Sequence, residues 1–241
     1  FAVIGFTELL RRWRNFSAAI TRKVIHLFGG FAIFTVPFYS QAWLALFVSF
    51  PVLILIFLSS PKSPVKSLRA MFEVMAREED YLSGHIWGPM LYAISINILV
   101  AIFTLIPTLV PLFIIPALGL TAMYLGDGIA PIIGAKIGKH RYTIGKSTRS
   151  LEGSLSVFIA SFCGAWLSWL FLDFFASGGT PIFNVIQIGM LGIICASSAT
   201  IIEGISPAGV DNITVPLLTA LIVFLSALVV HPTILVMILI P

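Results

Sequence analysis

"LVPLFIIPALGLTAMYLGDGIAPIIGAKIGKH", residues 109–140, decides the fold class. Its first half is apolar without a single charge. Asp127 then stands between Gly126 and Gly128, and Gly126, Ala130, Gly134 and Gly138 recur at every fourth position until a basic cluster begins. A run this long and this apolar meets the requirement of about 20 residues for a helix that crosses a bilayer. An aspartate at its end needs a partner, because an ionised carboxylate at the bilayer centre costs about 2.5–3.5 kcal/mol and less only near the interface.

The rest of the chain repeats the pattern. Of its 241 residues, 59% are hydrophobic and 10% charged, with a mean hydropathy of +1.06; soluble domains are about a quarter charged. This composition specifies an integral membrane protein, all-α, with residues 1–241 as one membrane domain. The chain begins at Phe1 rather than Met, so residues upstream are expected to be missing and no signal peptide is inferred. No Lys, Arg, Asp or Glu occurs in 24–61, 81–126 or 212–241, and 154–202 holds only Asp173. With turn signals at "PFYSQ", "IPTLVP" and "DFFASGGTP", these intervals predict seven spans near 24–39, 42–58, 86–106, 109–127, 155–174, 183–202 and 214–237. The first two are short, which suits a tilted or re-entrant pair.

All 14 Lys and Arg fall in Arg11 to Lys23, Lys62 to Arg77 and Lys136 to Arg149. Each apolar interval between them holds two predicted spans, so these stretches share one membrane face, and the positive-inside rule assigns that face to the cytoplasm or its equivalent. The net charge of +4 then describes that face. It suits anionic headgroups or phosphates and gives no reason to expect nucleic acid. Residues 1–20 carry an apolar stripe with Arg11, Arg12 and Arg14 largely off it, as in an interfacial helix or the end of an upstream span. Residues 60–80 read as a solvated loop with a short surface helix. Cys163 and Cys195 lack metal or redox spacing and read as small core residues.

Polar chemistry gathers in three places on the basic face. Arg22 and Lys23 precede His26 by four and three residues and share a helix side with it. The Gly126–Gly138 ladder suits either close helix packing or the approach of a ligand's phosphates to bare backbone, with Lys136, Lys139, Arg141, Lys146 and Arg149 supplying charge. It is not a Walker A loop, since "GKHRYTIGKS" has the wrong glycine spacing and no strand before it. In "EGISPAGVDNITVP", Glu203 ends one span and Asp211 starts the next across a tight turn. With Asp127, they make a candidate Mg²⁺ site for a nucleotide. His26, Glu203 and Asp211 are the candidate bases, Asp211 first because it sits on a turn.

"RKVIH", "GDGIAPIIGAKIGKH" followed by "RSLEGS", and "EGISPAGVDNITVP" together resemble the dolichol kinase and phytol kinase family of CTP-dependent polyprenol kinases, over Thr21 to Pro216. The resemblance implies transfer of the γ-phosphate of CTP, or of another nucleoside triphosphate, to the hydroxyl of an isoprenoid alcohol. It places Asp127, Ala130, Gly134, Gly138, Ser150, Glu152 and Gly153 in the nucleotide-binding segment; Lys139, Lys146, Arg149, Arg22, Lys23 and Asn212 are further candidates for binding the nucleotide. Where the family usually has Lys before the Ser, this chain has Arg149, which leaves Arg149 and Lys146 as alternatives. The middle motif is also similar to phosphatidate cytidylyltransferases, the alternative reading, and a small transporter is the alternative of a different class.

Overall fold

The computed structural model describes residues 27, 29–76, 78–144, 147–207 and 209–239, with backbone alone at Glu79, Pro131 and Ala135. Arg22, Lys23, His26, Lys146 and the stripe in 1–20 lie outside the described residues. Two short apolar helices come first, α1 (Gly29–Phe38) and α2 (Ala42–Leu58). The amphipathic α3 (Lys66–Met75) and α4 (Glu78–Ser83) connect them to α5 (Trp87–Leu105). Next, α6 runs through Ile114–Thr121, a wider π-type turn at Ala122–Asp127, and Gly128–Ile137. A hairpin of β1 (Arg141–Ile144) and β2 (Ser147–Ser150) leads into α7 (Leu151–Phe175), then α8 (Val185–Ile205), α9 (Asp211–Val230) and α10 (Thr233–Leu239).

Among the described residues, five helices are long and apolar enough to cross a membrane, namely α5 to α9. Helices are the expected solution because the bilayer core offers no water to satisfy backbone N–H and C=O groups. The two predicted leading spans correspond to α1 and α2, the second with the predicted bounds, and both are shorter than the five crossing helices. The last predicted span is divided: α9 ends at Val230, His231 leaves the helical conformation, and α10 begins at Thr233. Phe47, Phe50, Phe57, Leu221, Leu225 and Val229 are exposed, an apolar surface that suits lipid and not water.

α6 is the innermost helix. From Ile114 to Tyr124 every residue is buried, and 65% of its apolar window is buried against 33% for α9. Small residues set how closely its neighbours approach. A methyl on Gly119 would stand 2.9 Å from Ala220 Cβ on α9, and one on Gly164 of α7 would stand 3.1 Å from Thr121 Cβ on α6. Cys195 fits the small-core expectation, as it is fully buried with its Sγ 3.4 Å from Leu118 O, whereas Cys163 faces outward.

Two expectations are corrected here. The helix carrying Asp127 does not end there: it continues to Ile137, roughly 15 Å further at 1.5 Å per residue. Gly126 and Gly128 are points of close contact inside a continuous helix; Gly126, for one, faces Val157 and Ser161 of α7. The basic loop that follows is also not irregular. Arg141 pairs with Ser150 and Ile144 with Ser147 in a short antiparallel hairpin.

The solvated loop expected at 60–80 is corrected as well. Met71, Phe72, Val74 and Met75 form the buried face of α3 and pack with Ile56 of α2 and with Ile86, Met90 and Ala93 on and beside α5. Helical spacing of these four puts them on one side, and Lys66 and Arg69 stay out of the packed face.

Candidate functional site

The turn between α8 and α9 is built on Gly209, whose φ of 89° is a left-handed conformation that costs other residues about 1–2 kcal/mol. It brings Glu203 and Asp211 to the same guanidinium. Arg149 Nε lies 2.9 Å from Glu203 Oε1, and Arg149 Nη2 donates to Asp211 Oδ2 at 3.2 Å. Both acids are more than nine-tenths buried, and Arg149 is largely so. Asp211 Oδ1 also accepts from the backbone N–H groups of Gly209 and Asn212, each at 3.0 Å. Asp211 is thereby held in place by three donors at the start of α9.

The hairpin completes this end of the bundle. Ser147 Oγ donates to Ser206 O at 3.2 Å, tying β2 to the α8–α9 turn. Tyr142 and Ser154 share a hydroxyl hydrogen bond of 2.6 Å. Glu152 reaches back to His140, 2.8 Å from its Nδ1, and Ser150 caps α7 by accepting from Gly153 N at 3.1 Å. The glycine ladder packs directly on this cap. A methyl on Gly134 would stand 3.2 Å from Ser150 Oγ, and one on Gly138 would stand 2.7 Å from the same atom. Close packing thus meets the ladder's bare face, and a methyl on Gly153 would stand 3.6 Å from Ala130 O. Lys136 and Lys139 are exposed at the rim.

Beside this buried ion pair lies a cavity of ≈ 280 Å³. Asp127, Asn212 and Tyr92 contribute polar groups at one end, next to Gly88, and side chains of α1, α2, α3, α5 and α6, apolar apart from Thr35, Tyr39, Ser49 and Asn97, line the remainder. Asn212 is buried and its Oδ1 has no hydrogen-bond partner. Buried oxygens of this kind are rare and call for a ligand or ion. Asp127 sits on the π-type turn, a feature found often at functional sites.

Asp127, Glu203 and Asp211 thus come to the same end of the bundle but in two settings: Glu203 and Asp211 on Arg149, and Asp127 in the cavity with Asn212. Among the described residues, no three His, Cys, Asp or Glu side chains gather closely enough to hold a metal ion. A dedicated three-carboxylate cage is therefore absent from the described residues. Magnesium, however, is usually held by one or two carboxylates together with substrate phosphates and water. Asp127 and the unpartnered Asn212 Oδ1 fit that donor set.

Sequence reasoning missed Tyr92, Gly88, Met71 and Met75 as part of the site. The available signal was Gly88, Tyr92 and Ile96 at four-residue spacing, which reads equally well as core.

Over 221 residues the chain is 31% identical to the phytol kinase of Synechocystis sp., covering 92% of this chain and 85% of that protein. It is 30% identical over 234 residues to a probable chloroplastic phytol kinase of Triticum aestivum, covering 93% of this chain and 73% of that protein. A probable chloroplastic phytol kinase of Zea mays is likewise 30% identical, over 232 residues. No family model and no solved structure matches the chain.

Proposed function

This chain belongs to the phytol kinase family, and from that premise we propose that it transfers the γ-phosphoryl group of CTP to the hydroxyl of an isoprenoid alcohol at the Asp127 end of the cavity. The relatives support a kinase acting on a prenol. The nucleotide, the metal and the residue roles are our reading. The observation that carries it is one cavity with a carboxylate and an unpartnered amide oxygen at one end and a long, mostly apolar sleeve behind them. An amphiphilic alcohol has that same distribution of polarity.

Phosphoryl transfer needs the migrating charge neutralised, the attacking oxygen held in line, and an acceptor for its proton. Mg²⁺ would supply the first when bound, held by Asp127 and Asn212. Lys136 and Lys139 give the rim the positive field that draws a triphosphate. The sleeve orients the alcohol by burying its tail, which leaves the hydroxyl at the Asp127 end. Asp127, the carboxylate lining that end, is engaged by the metal, so the hydroxyl's proton would leave through a phosphate oxygen or water as the new O–P bond forms and the nucleoside diphosphate departs. Arg149 holds Glu203 and Asp211 in place, so it fixes the position of Asn212, the residue after Asp211, and leaves the phosphates to the lysines. The positive-inside rule assigns this end to the cytoplasm or its equivalent.

The test uses purified protein in liposomes with Mg²⁺, CTP and alcohols from farnesol to dolichol. Label from γ-labelled CTP is expected in the lipid fraction as a prenyl phosphate. Lipid label from α-labelled CTP instead would identify a cytidylyltransferase, and solute uptake without nucleotide would identify a transporter.

A further inference from the structure

Resting on the prenol kinase reading, we infer that Val36, Ala45 and Val100 form the floor of the sleeve and set the longest isoprenoid chain that fits with its hydroxyl at Asp127.

The residues of α5 that line the cavity are Gly88, Tyr92, Ile96 and Val100, with Pro89, Ala93 and Asn97 beside them. These are two adjacent rows at four-residue spacing, so the cavity follows one face of α5 from its first turn to Val100. Twelve residues at 1.5 Å each make that path about 18 Å. A fully extended diterpenyl chain has about this length, whereas a dolichol is several times longer.

The opposite wall has a fixed register. Ser49 Oγ donates to Asn97 Oδ1 at 3.0 Å, and Asn97 Nδ2 donates back to Ser49 O at 3.3 Å and to Ala93 O at 2.9 Å. Asn97 is thereby satisfied and serves as a rivet between α2 and α5. Those helices run in opposite directions, with Ile56 packed in the cluster that holds Met90 and Ala93. Ala45, one helical turn before Ser49, therefore comes level with Val100, one turn beyond Asn97. Val36 of α1 closes the same level.

Val36, Ala45 and Val100 are each at least 94% buried, which is what a floor requires. The side wall differs. Val48 and Val52 line the cavity yet are 48% and 46% exposed on the lipid-facing side of α2. A membrane-dissolved alcohol can therefore slide in sideways, while its depth is limited by the floor.

Ala45 is the smallest of the three, so a large side chain there shortens the sleeve, and truncating Val100 lengthens it. One displaced methylene in an apolar pocket changes discrimination about 10–200-fold. In Ala45→Phe, kcat/KM for geranylgeraniol relative to farnesol is expected to fall at least about tenfold, with unfolding in detergent micelles as the check of fold. In Val100→Ala, the ratio for a C25 alcohol over geranylgeraniol is expected to rise. A diterpenol with a photoreactive diazirine at its tail provides a readout independent of turnover, with adducts expected on 36–45 and at Val100. Unchanged ratios in both variants, or adducts spread over lipid-facing side chains, would overturn the assignment and leave the kinase reading intact. Loss of all activity in Ala45→Phe shifts the decision to Val100→Ala and the adducts. If the wild type phosphorylates no prenol yet adducts appear at the floor, the kinase reading fails and the sleeve stands.

Discussion

The two ends of the bundle each bury acidic side chains, and the difference between them separates structure from chemistry. At the far end, Asp173 accepts from the N–H groups of Ile182 and Phe183 at 2.9 and 3.0 Å, and Trp169 Nε1 donates to Phe183 O at 2.7 Å. Asn184 and Gln187 form a reciprocal cap on α8, and Gln187 Nε2 donates to Val230 O at 3.1 Å. These groups satisfy backbone that a sharp turn would otherwise leave bare. At the basic end, by contrast, Arg149 joins two acids from different helices, Asn212 Oδ1 lacks a partner, and Asp127 lines a cavity. An intramembrane carboxylate is a functional hypothesis by default, and Asp173 is the exception because its task is complete within ten residues of chain.

The largest effect on stability is expected from Arg149→Met, which leaves Glu203 and Asp211 facing each other in a buried setting. Breaking such a pair costs about 3–5 kcal/mol, measurable by denaturant unfolding in detergent micelles. Adding Glu203→Gln and Asp211→Asn to that variant should recover most of the loss, because the uncompensated charge is then gone. Asp173→Ala should cost about 1–3 kcal/mol through two unpaired backbone N–H groups while turnover per folded molecule is unchanged. Reduced turnover there would erase the distinction between the ends. Gly209→Ala is expected to cost about 1–2 kcal/mol through its left-handed φ, read in the same unfolding assay. Asn212→Ala should be nearly silent in stability, since its Oδ1 loses no bond. Its KM for CTP is expected to rise about tenfold, with the deficit partly relieved at high Mg²⁺.

Much of this contrast was legible in the sequence. The charge-free intervals gave the apolar helices and the shared basic face, and "EGISPAGVDN" located the turn that joins Glu203 to Asp211. What escaped was anything set by neighbours. The four-residue ladder from Gly126 to Gly138 is compatible with a ligand or a helix, and only the structure shows Ser150 and Gly153 packed against it. The face of α3 carrying Met71 and Met75 looks like any surface helix until α2 and α5 supply the wall it covers. Arg149 read as one of two candidates to meet phosphates because its charge is visible in the sequence, whereas the acids it pairs with come from 54 and 62 positions away.

The central claim is that chemistry belongs to the Asp127 end alone. Measuring transfer from γ-labelled CTP to geranylgeraniol for Asp127→Asn and Asp173→Asn, at matched amounts of folded, membrane-inserted protein, tests it directly. The account predicts a loss of about 10²–10³-fold or more for Asp127→Asn and wild-type turnover for Asp173→Asn. Robust transfer by Asp127→Asn at ordinary CTP and Mg²⁺ would contradict it.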